Sequence, residues 1–201
     1  VVISGVPAGA SLNNGTDNGD GSWTLTGPDL AGLTVTPATN DDSNFTLTVT
    51  ATSTDGADSA DSIGTVNVTV NAVADAPSLT VADATGNEDE AIALSISSAL
   101  TDPSESLSVV ISGVPAGASL NNGTDNGDGS WTLTSADLAG LTVTSAANDD
   151  SNFTLTVTAT STDGADSADS IGTVNVTVNA VADAPSLTVA DATSNEDEAI
   201  A

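Results

Sequence analysis

Apolar and polar residues alternate along most of the chain. Phe153, Leu155, Val157 and Ala159 share one parity, and Thr154, Thr156, Thr158 and Thr160 take the other. Val174, Val176 and Val178 alternate in the same way with Thr173, Asn175 and Thr177. A period of two sends successive side chains to opposite faces, so each run predicts a half-buried β-strand. Leu107, Val109 and Ile111 make a third set, and Ile92, Leu94 and Ile96 a fourth. The pairs Leu79/Val81, Trp131/Leu133 and Leu141/Val143 bring the count to seven strands between residues 76 and 181. Thr and Val suit a pleated, half-buried surface, and Gly, Asn, Asp and Pro fill the intervals where turns need them. No window of about 12 residues carries a helical period, and residues 136–139 have room for one turn at most. Seven short strands in about 100 residues predict an all-β, Greek-key sandwich with a core of Val, Leu, Ile and Ala. Residues 118–120 are a candidate eighth strand.

The pattern recurs. The segment starting at Val1 starts again at Val109, a period of 108 residues. Residues 109–201 overlay residues 1–93 with five differences: Gly27/Ser135, Pro28/Ala136, Pro37/Ser145, Thr39/Ala147 and Gly86/Ser194. A period of this length fits one autonomous domain rather than a solenoid unit of about 20–50 residues. The expected linkers are 71–77 and its copy 179–185, each ending in a Pro that stiffens the junction. On this reading residues 1–73 are a repeat lacking its first strands, 76–181 a complete repeat, and 184–201 the start of a third. The chain reads as a window on a longer tandem array. Near-identical neighbours suit a role set by copy number better than catalysis, so no enzyme is expected.

Composition narrows the function. There are 28 Asp and Glu, no Lys, Arg, His or Cys, and a formal charge of −28. Disulfides, His/Cys metal sites, Cys or His nucleophiles and Schiff-base lysines are excluded. Nucleic acid is not an expected partner, because phosphate binding needs basic side chains. No apolar run approaches the roughly 18 residues of a membrane span, so membrane insertion is not expected. Hydrophobic residues still make up 38%, and their patterning argues against disorder.

Strand parity predicts where the acids go. With entry and exit at opposite poles, the loop carrying Glu88, Asp89 and Glu90 shares the exit pole with Asp149 and Asp150. The loop carrying Asp102 and Glu105 shares the entry pole with the loop between the last two strands, expected to hold Asp163, Asp166 and Asp169. The exit pole of one repeat then faces the entry pole of the next across Asn179 and Asp183. Carboxylates about 4 Å apart repel by roughly 4 kcal/mol at an effective dielectric of about 20. Either these acids stand apart in water, capping turns and solubilising the surface, or a cation sits among them. An oxygen-only donor set selects a hard ion, and Ca²⁺ accepts irregular oxygen geometry better than Mg²⁺.

Three stretches carry a family resemblance: 87–94 (NEDEAIAL), 148–164 (NDDSNFTLTVTATSTDG) and 178–185 (VNAVADAP). They resemble the cadherin-like repeats of giant bacterial RTX adhesins, which type I systems secrete. The resemblance implies Ca²⁺ at each junction. Its ligands would be Glu88, Asp149, Asp150, Asn179 and Asp183 at one junction, with Glu90 at the same pole. At the other they would be Asp41, Asp42, Asn71, Asp75, Asp102 and Glu105. The implied function is an extracellular, cell-surface spacer whose partners are neighbouring repeats, end to end. Asp102 and Glu105 are spaced D-x-x-E where cadherins have D-x-D, and the RTX nonapeptide is absent.

Other motifs have plainer readings. TDNGDGSW at 16–23 and 124–131 lacks the acid spacing of a calcium loop and reads as a hairpin turn. Asn14, Asn44, Asn67, Asn122, Asn152 and Asn175 lie in N-x-T sequons that a Thr-rich strand produces by chance. Trp23 and Trp131 read as core. Two other functions remain open: a self-assembling filament or surface layer built by strand donation, and a glycan- or receptor-binding module.

Overall fold

A computed structural model describes residues 1–200. The first half contains β1 (Val2–Ser4), β2 (Ser11–Leu12), β3 (Thr16–Asp17), β4 (Ser22–Thr24), β5 (Val35–Thr36), β6 (Phe45–Asp55) and β7 (Asp58–Val68). The second contains β8 (Ser78–Ala82), β9 (Ala84–Asn87), β10 (Ala91–Ala93), β11 (Ser95–Ala99), β12 (Ser106–Ser112) and β13 (Ser119–Leu120). It continues with β14 (Thr124–Asp125), β15 (Ser130–Leu133), β16 (Thr142–Thr144), β17 (Phe153–Asp163) and β18 (Asp166–Asn179). The only helical pieces among the described residues are short 3-10 turns at Pro28–Leu30 and Ser135–Leu138. No helix is long and apolar enough to cross a membrane.

The alternating Val/Thr runs form the longest hairpin, β17–β18, paired from Phe153↔Val176 to Asp163↔Asp166. Its two-residue turn puts Gly164 at the first central position with φ +58°, where a Cβ would be strained. The hairpin lies inside a six-stranded sheet of order β14-β15-β12-β17-β18-β9. This sheet and the smaller ones (β10-β16-β13 and β11-β8) enclose one core containing Val109, Ile111, Leu133, Val143, Leu155 and Val174, all at most 2% exposed. Full burial of each such side chain is worth about 1.5–3 kcal/mol.

One strand prediction needs correction: the Ile92/Leu94/Ile96 set is not one strand but two, with Ile92 in β10, paired with β16, and Ile96 in β11, paired with β8. The Leu79/Val81 run forms β8 as expected, and the chain then crosses over into β9, which pairs parallel with β18. The crossover is fixed at Asp83, whose Oδ1 accepts the Asn175 amide at 2.9 Å and its side-chain nitrogen at 3.1 Å. The segment at 184–200 forms no strand, and its apolar residues stand in solvent: Leu187 is 84% exposed and Val189 80%. A strand needs a partner ladder for its backbone, and nothing in the structure offers one here. The candidate strand at 118–120 does form, as β13, and the expected single turn appears at Ser135–Leu138.

The first half repeats the second from β12 onward, and among the described residues no strand stands against it where β8 to β11 stand in the second. Its sheet runs β3-β4-β1-β6-β7, and β7 is an open edge. The consequence shows in residue pairs of identical sequence. Val174 is fully buried while Val66 is 50% exposed, and Leu138 is 8% exposed while Leu30 is 44%. The same strands thus leave an apolar groove of about 330 Å³ on the first half, lined by Leu12, Leu47, Val66 and Val68.

Candidate metal centre at the junction

The segment between the two halves is held residue by residue. On the near side, Asn44 Oδ1 accepts the Val70 amide at 2.8 Å. On the far side, the Ala74 amide donates to Asp166 Oδ2 at 3.0 Å and the Asp75 amide to Glu105 Oε1 at 2.7 Å. Thr101 Oγ1 donates to the Ala76 carbonyl at 2.9 Å, and Ser170 Oγ to the Pro77 carbonyl at 2.6 Å. Backbone groups bonded in sequence to the second half leave this linker little freedom to hinge.

These contacts gather carboxylates. Asp75, Asp102 and Glu105 each offer an oxygen within 4.8 Å of the others, the one group of three or more acids so placed among the described residues. Asp102 and Glu105 are 5% and 6% exposed. The D-x-x-E spacing puts both on one tight turn, in which the Glu105 amide donates to the Asp102 carbonyl at 3.3 Å. Asp102 Oδ1 accepts from the Ser104 amide at 2.9 Å and from Ser104 Oγ at 2.8 Å. Both Glu105 oxygens are engaged, one by the Asp75 amide and the other by the hydroxyl of fully buried Ser161.

Asp75 and Asp102 also line a junction cavity of about 300 Å³, together with Asp41, Asp42 and Asn71 from the first half and Asp163 from the second. All six expected residues of this junction therefore converge, five on the cavity and Glu105 in the acid triad. Asp163 joins them; strand parity had placed it at this pole, but only the folded geometry separates it from Asp169. Burial pushes the Asp163 carboxyl above its ordinary 3.8, and the charges of Asp42, Glu105 and Asp102 push it further. Asp41 moves the opposite way, held low by its hydrogen bonds from Ser43.

A hard cation fits this donor set. Every side chain on it offers oxygen, two of the carboxylates are buried, and the sequence holds no Lys, Arg or His to neutralise them. Two full charges 4.8 Å apart repel by about 3.5 kcal/mol at an effective dielectric of about 20.

The second set is only partly assembled. Glu88 is 7% exposed, and its Oε1 accepts the Val181 amide at 2.7 Å. Asp89 Oδ1 accepts the Asn148 amide at 3.0 Å, which brings the 88–90 loop to the same pole as Asp149 and Asp150. The Glu88 amide donates to the Asn179 carbonyl at 3.0 Å. Glu90 only receives a side-chain bond from Asn87 at 3.3 Å, and Asp149 caps Ser151 at 3.0 Å. Asp150 and Asp183 are exposed. These six residues form no acid triad.

The other acids are used locally. Asp125 Oδ1 accepts the Gly127 amide at 2.8 Å, and Asp128 Oδ1 accepts the Ser130 amide at 3.0 Å and hydroxyl at 2.6 Å. The TDNGDGSW stretch is a set of Asx turns. Asn44 and Asn152 of the sequons hold the Val70 and Val178 amides, so these side chains serve the fold.

No family model matches the chain, and no curated protein does. Among solved structures it is similar to an endo-fucoidan hydrolase of glycoside hydrolase family 107, with a TM-score of 0.29 and 19% identity over 88% of this chain and 23% of that one. It is also similar to a chimeric titin Z1Z2 functionalised with an exogenous peptide from decorin, with a TM-score of 0.32 and 14% identity over 89% of this chain and 82% of that one. Neither likeness is close enough to carry an argument about this chain.

Proposed function

We propose that the chain is part of a structural extender: a tandem array of Ig-like or cadherin-like β-sandwiches with a 108-residue period, held stiff at its junctions by Ca²⁺. The observation that carries this reading is the junction itself, where Asp75, Asp102 and Glu105 converge beside Asp41, Asp42, Asn71 and Asp163. Asp75, Asp102 and Glu105 would hold the ion from the linker and the second repeat, and Asp41, Asp42 and Asn71 from the first. A bound divalent cation would supply the positive charge that the sequence lacks. An all-oxygen donor set with irregular spacing favours Ca²⁺ over Mg²⁺, which prefers a strict octahedron. Residues 74–77 of the linker are already bonded to the second half, so the ion's task is to couple the first repeat to the second and suppress bending. The resemblance to RTX adhesin repeats supports a bacterial cell surface as the setting of such an array, and on this reading the role is mechanical rather than catalytic.

Melting curves of the chain in millimolar Ca²⁺, in Mg²⁺ at equal ionic strength and in chelator test this. A ligand that binds only the folded state at about 100 times its Kd stabilises by about 2.7 kcal/mol. For a domain of about 60–100 residues that raises the midpoint by roughly 10–20 °C. The expected result is a rise of that size in Ca²⁺ and a much smaller one in Mg²⁺. Equal, weak effects of both ions would mean charge screening only, and the reading would fall.

A further inference from the structure

We propose that each repeat carries a saccharide subsite, in which a neutral pyranose stacks on the indole of Trp131 (Trp23 in the first half) and donates hydroxyl bonds to the carboxylates beside it. The inference goes beyond the cation reading and does not depend on it. Strand alternation predicts core positions for both tryptophans, yet each is half-buried. Trp131 packs against the core of the second half and also lines a surface cavity of about 410 Å³ with Val114, Pro115, Asp125 and Asp128. Trp23 does the same at a cavity of about 420 Å³ with Val6, Pro7, Asp17 and Asp20. The two cavities match in lining and nearly in size. The second half keeps its cavity with β8 to β11 in place, and the first half keeps its own with a further repeat following it. Neither cavity is therefore a gap left by a missing neighbour.

Two tight turns build the cavity. In the second half, the Ala118 amide closes one turn by donating to the Pro115 carbonyl at 3.0 Å. The other is shaped by the Gly127 amide, which donates to Asp125 Oδ1 at 2.8 Å, and by the Ser130 amide and hydroxyl, which donate to Asp128 Oδ1 at 3.0 and 2.6 Å. The Val114 amide ties the turns together by donating to the Gly129 carbonyl at 3.0 Å. Asp125 is the cross-strand partner of Trp131, so the two side chains leave the sheet on one face. The first half repeats these bonds: Ala10 to Pro7 at 3.1 Å, Gly19 to Asp17 at 2.8 Å, Ser22 to Asp20 at 3.0 and 2.6 Å, and Val6 to Gly21 at 3.0 Å. All the carboxylate bonds fall on Oδ1, which leaves Oδ2 of each aspartate as an acceptor. Asp20 and Asp128 are held below their ordinary 3.8 by their serine bonds and stay charged. A pyranose suits such a site, because its C–H face is apolar like the indole and its hydroxyls donate to carboxylates. Fixed carboxylates in a chain of formal charge −28 repel uronate and sulfate groups, so the sugar is uncharged. One open site binds weakly, but copies recurring every 108 residues let a polymer of identical sugar units engage several at once.

Tryptophan fluorescence reads the sites directly, because the chain has two Trp, one in each cavity, and no Tyr. The 201-residue chain is titrated with dextran, mannan and galactan, with alginate as the anionic probe and chitosan oligosaccharides as the cationic one. Chelator is present throughout, so that failure of the cation reading leaves the result untouched. At least one neutral polymer should quench or shift the emission with little dependence on salt, and alginate should not. Trp23→Phe and Trp131→Phe, each leaving one indole as reporter, should return the same Kd for short oligosaccharides of that polymer. Asp20→Asn with Asp128→Asn keeps the bonds from Ser22 and Ser130, since an amide oxygen accepts them, but removes the charged acceptor. It should weaken binding about tenfold or more. Ala8→Phe with Ala116→Phe, at exposed positions on the two cavity walls, should abolish binding while the melting curve shows the sandwich still folded. No response to any of the three neutral polymers, binding that survives either double variant, or a response confined to chitosan and removed by salt would each overturn the proposal.

Discussion

Replacing Asp102 by Asn should change stability in opposite directions with and without a divalent cation. Asp102 is 5% exposed, and its Oδ1 accepts both Ser104 bonds. An Asn oxygen can accept the same two bonds, so the substitution removes a charge and little else. That charge faces those of Asp75 and Glu105 within 4.8 Å. Each pair costs between about 0.9 and 3.5 kcal/mol as the effective dielectric runs from about 80 to 20. Relieving both should stabilise the chelated protein by roughly 1–3 kcal/mol after partial screening. In Ca²⁺ the same substitution removes a ligand and should forfeit most of the roughly 2.7 kcal/mol that a tightly held ion contributes. Calorimetric melts of D102N and the parent, in chelator and in Ca²⁺, read this directly. D58N, on the exposed hairpin of the first half, serves as the control for net charge. The parent should melt lower than D102N in chelator and higher in Ca²⁺. If D102N is destabilised by the same amount in both, Asp102 is a turn-capping residue and the metal reading of the triad is wrong.

Other outcomes follow from comparing the two halves. Gly172→Ala places a Cβ 2.9 Å from Val81 Cγ2 and should cost about 1–3 kcal/mol by chemical or thermal denaturation, whereas Gly64→Ala meets nothing and should be close to neutral in the monomer. In chelator, stability should rise as pH falls from neutral toward 3.8: Asp163 is raised in the folded state, which therefore binds more protons than the unfolded chain in that window. The rise should vanish in D163N, and below 3.8 stability should fall as Asp41 and Asp149, both held low by serine hydrogen bonds, take up protons.

Much of the fold was legible because the period-two signal is local. Thr/Val alternation marked residues 153–160 of β17 and 173–178 of β18, but the stretch around Asp163, Asp166 and Asp169, expected as a loop, is strand apart from its two-residue turn, with Asp166 and Asp169 paired opposite Asp163 and Thr160. What periodicity does not encode is which sheet a strand joins. The division of the first strand into β8 and β9 depends on Asp83 reaching Asn175, a contact spanning 92 residues. Nor does it say whether a strand has a partner: 76–92 is ordered into β8, β9 and β10, while the same sequence at 184–200 is irregular. At the junction, parity put Asp102, Glu105 and Asp163 at one pole, and the folded chain brings all three together. Asp183 was the counterpart of Asp75 by sequence. It joins no group of three acids among the described residues.

The density of acid in this chain becomes intelligible once its carboxylates are divided by what they touch. Asp20, Asp29, Asp41, Asp128, Asp137 and Asp149 each receive a Ser or Thr hydroxyl bond with an amide of the same turn, and each is held below its ordinary 3.8. Such charges stabilise the turn they sit in and cost the fold little. The junction acids are of another kind: Asp163 is raised by burial and by its neighbours' charge, and Asp102 and Glu105 are withdrawn from water. Electrostatic stress is therefore concentrated between the halves, away from the two cores. The Val73 amide, which faces Asp163, supplies only a partial dipole against that stress. Removing counter-charge should then loosen the junction before either core melts. On the proposed reading, an extender built this way would change stiffness with the cation concentration around it while its individual sandwiches stay folded.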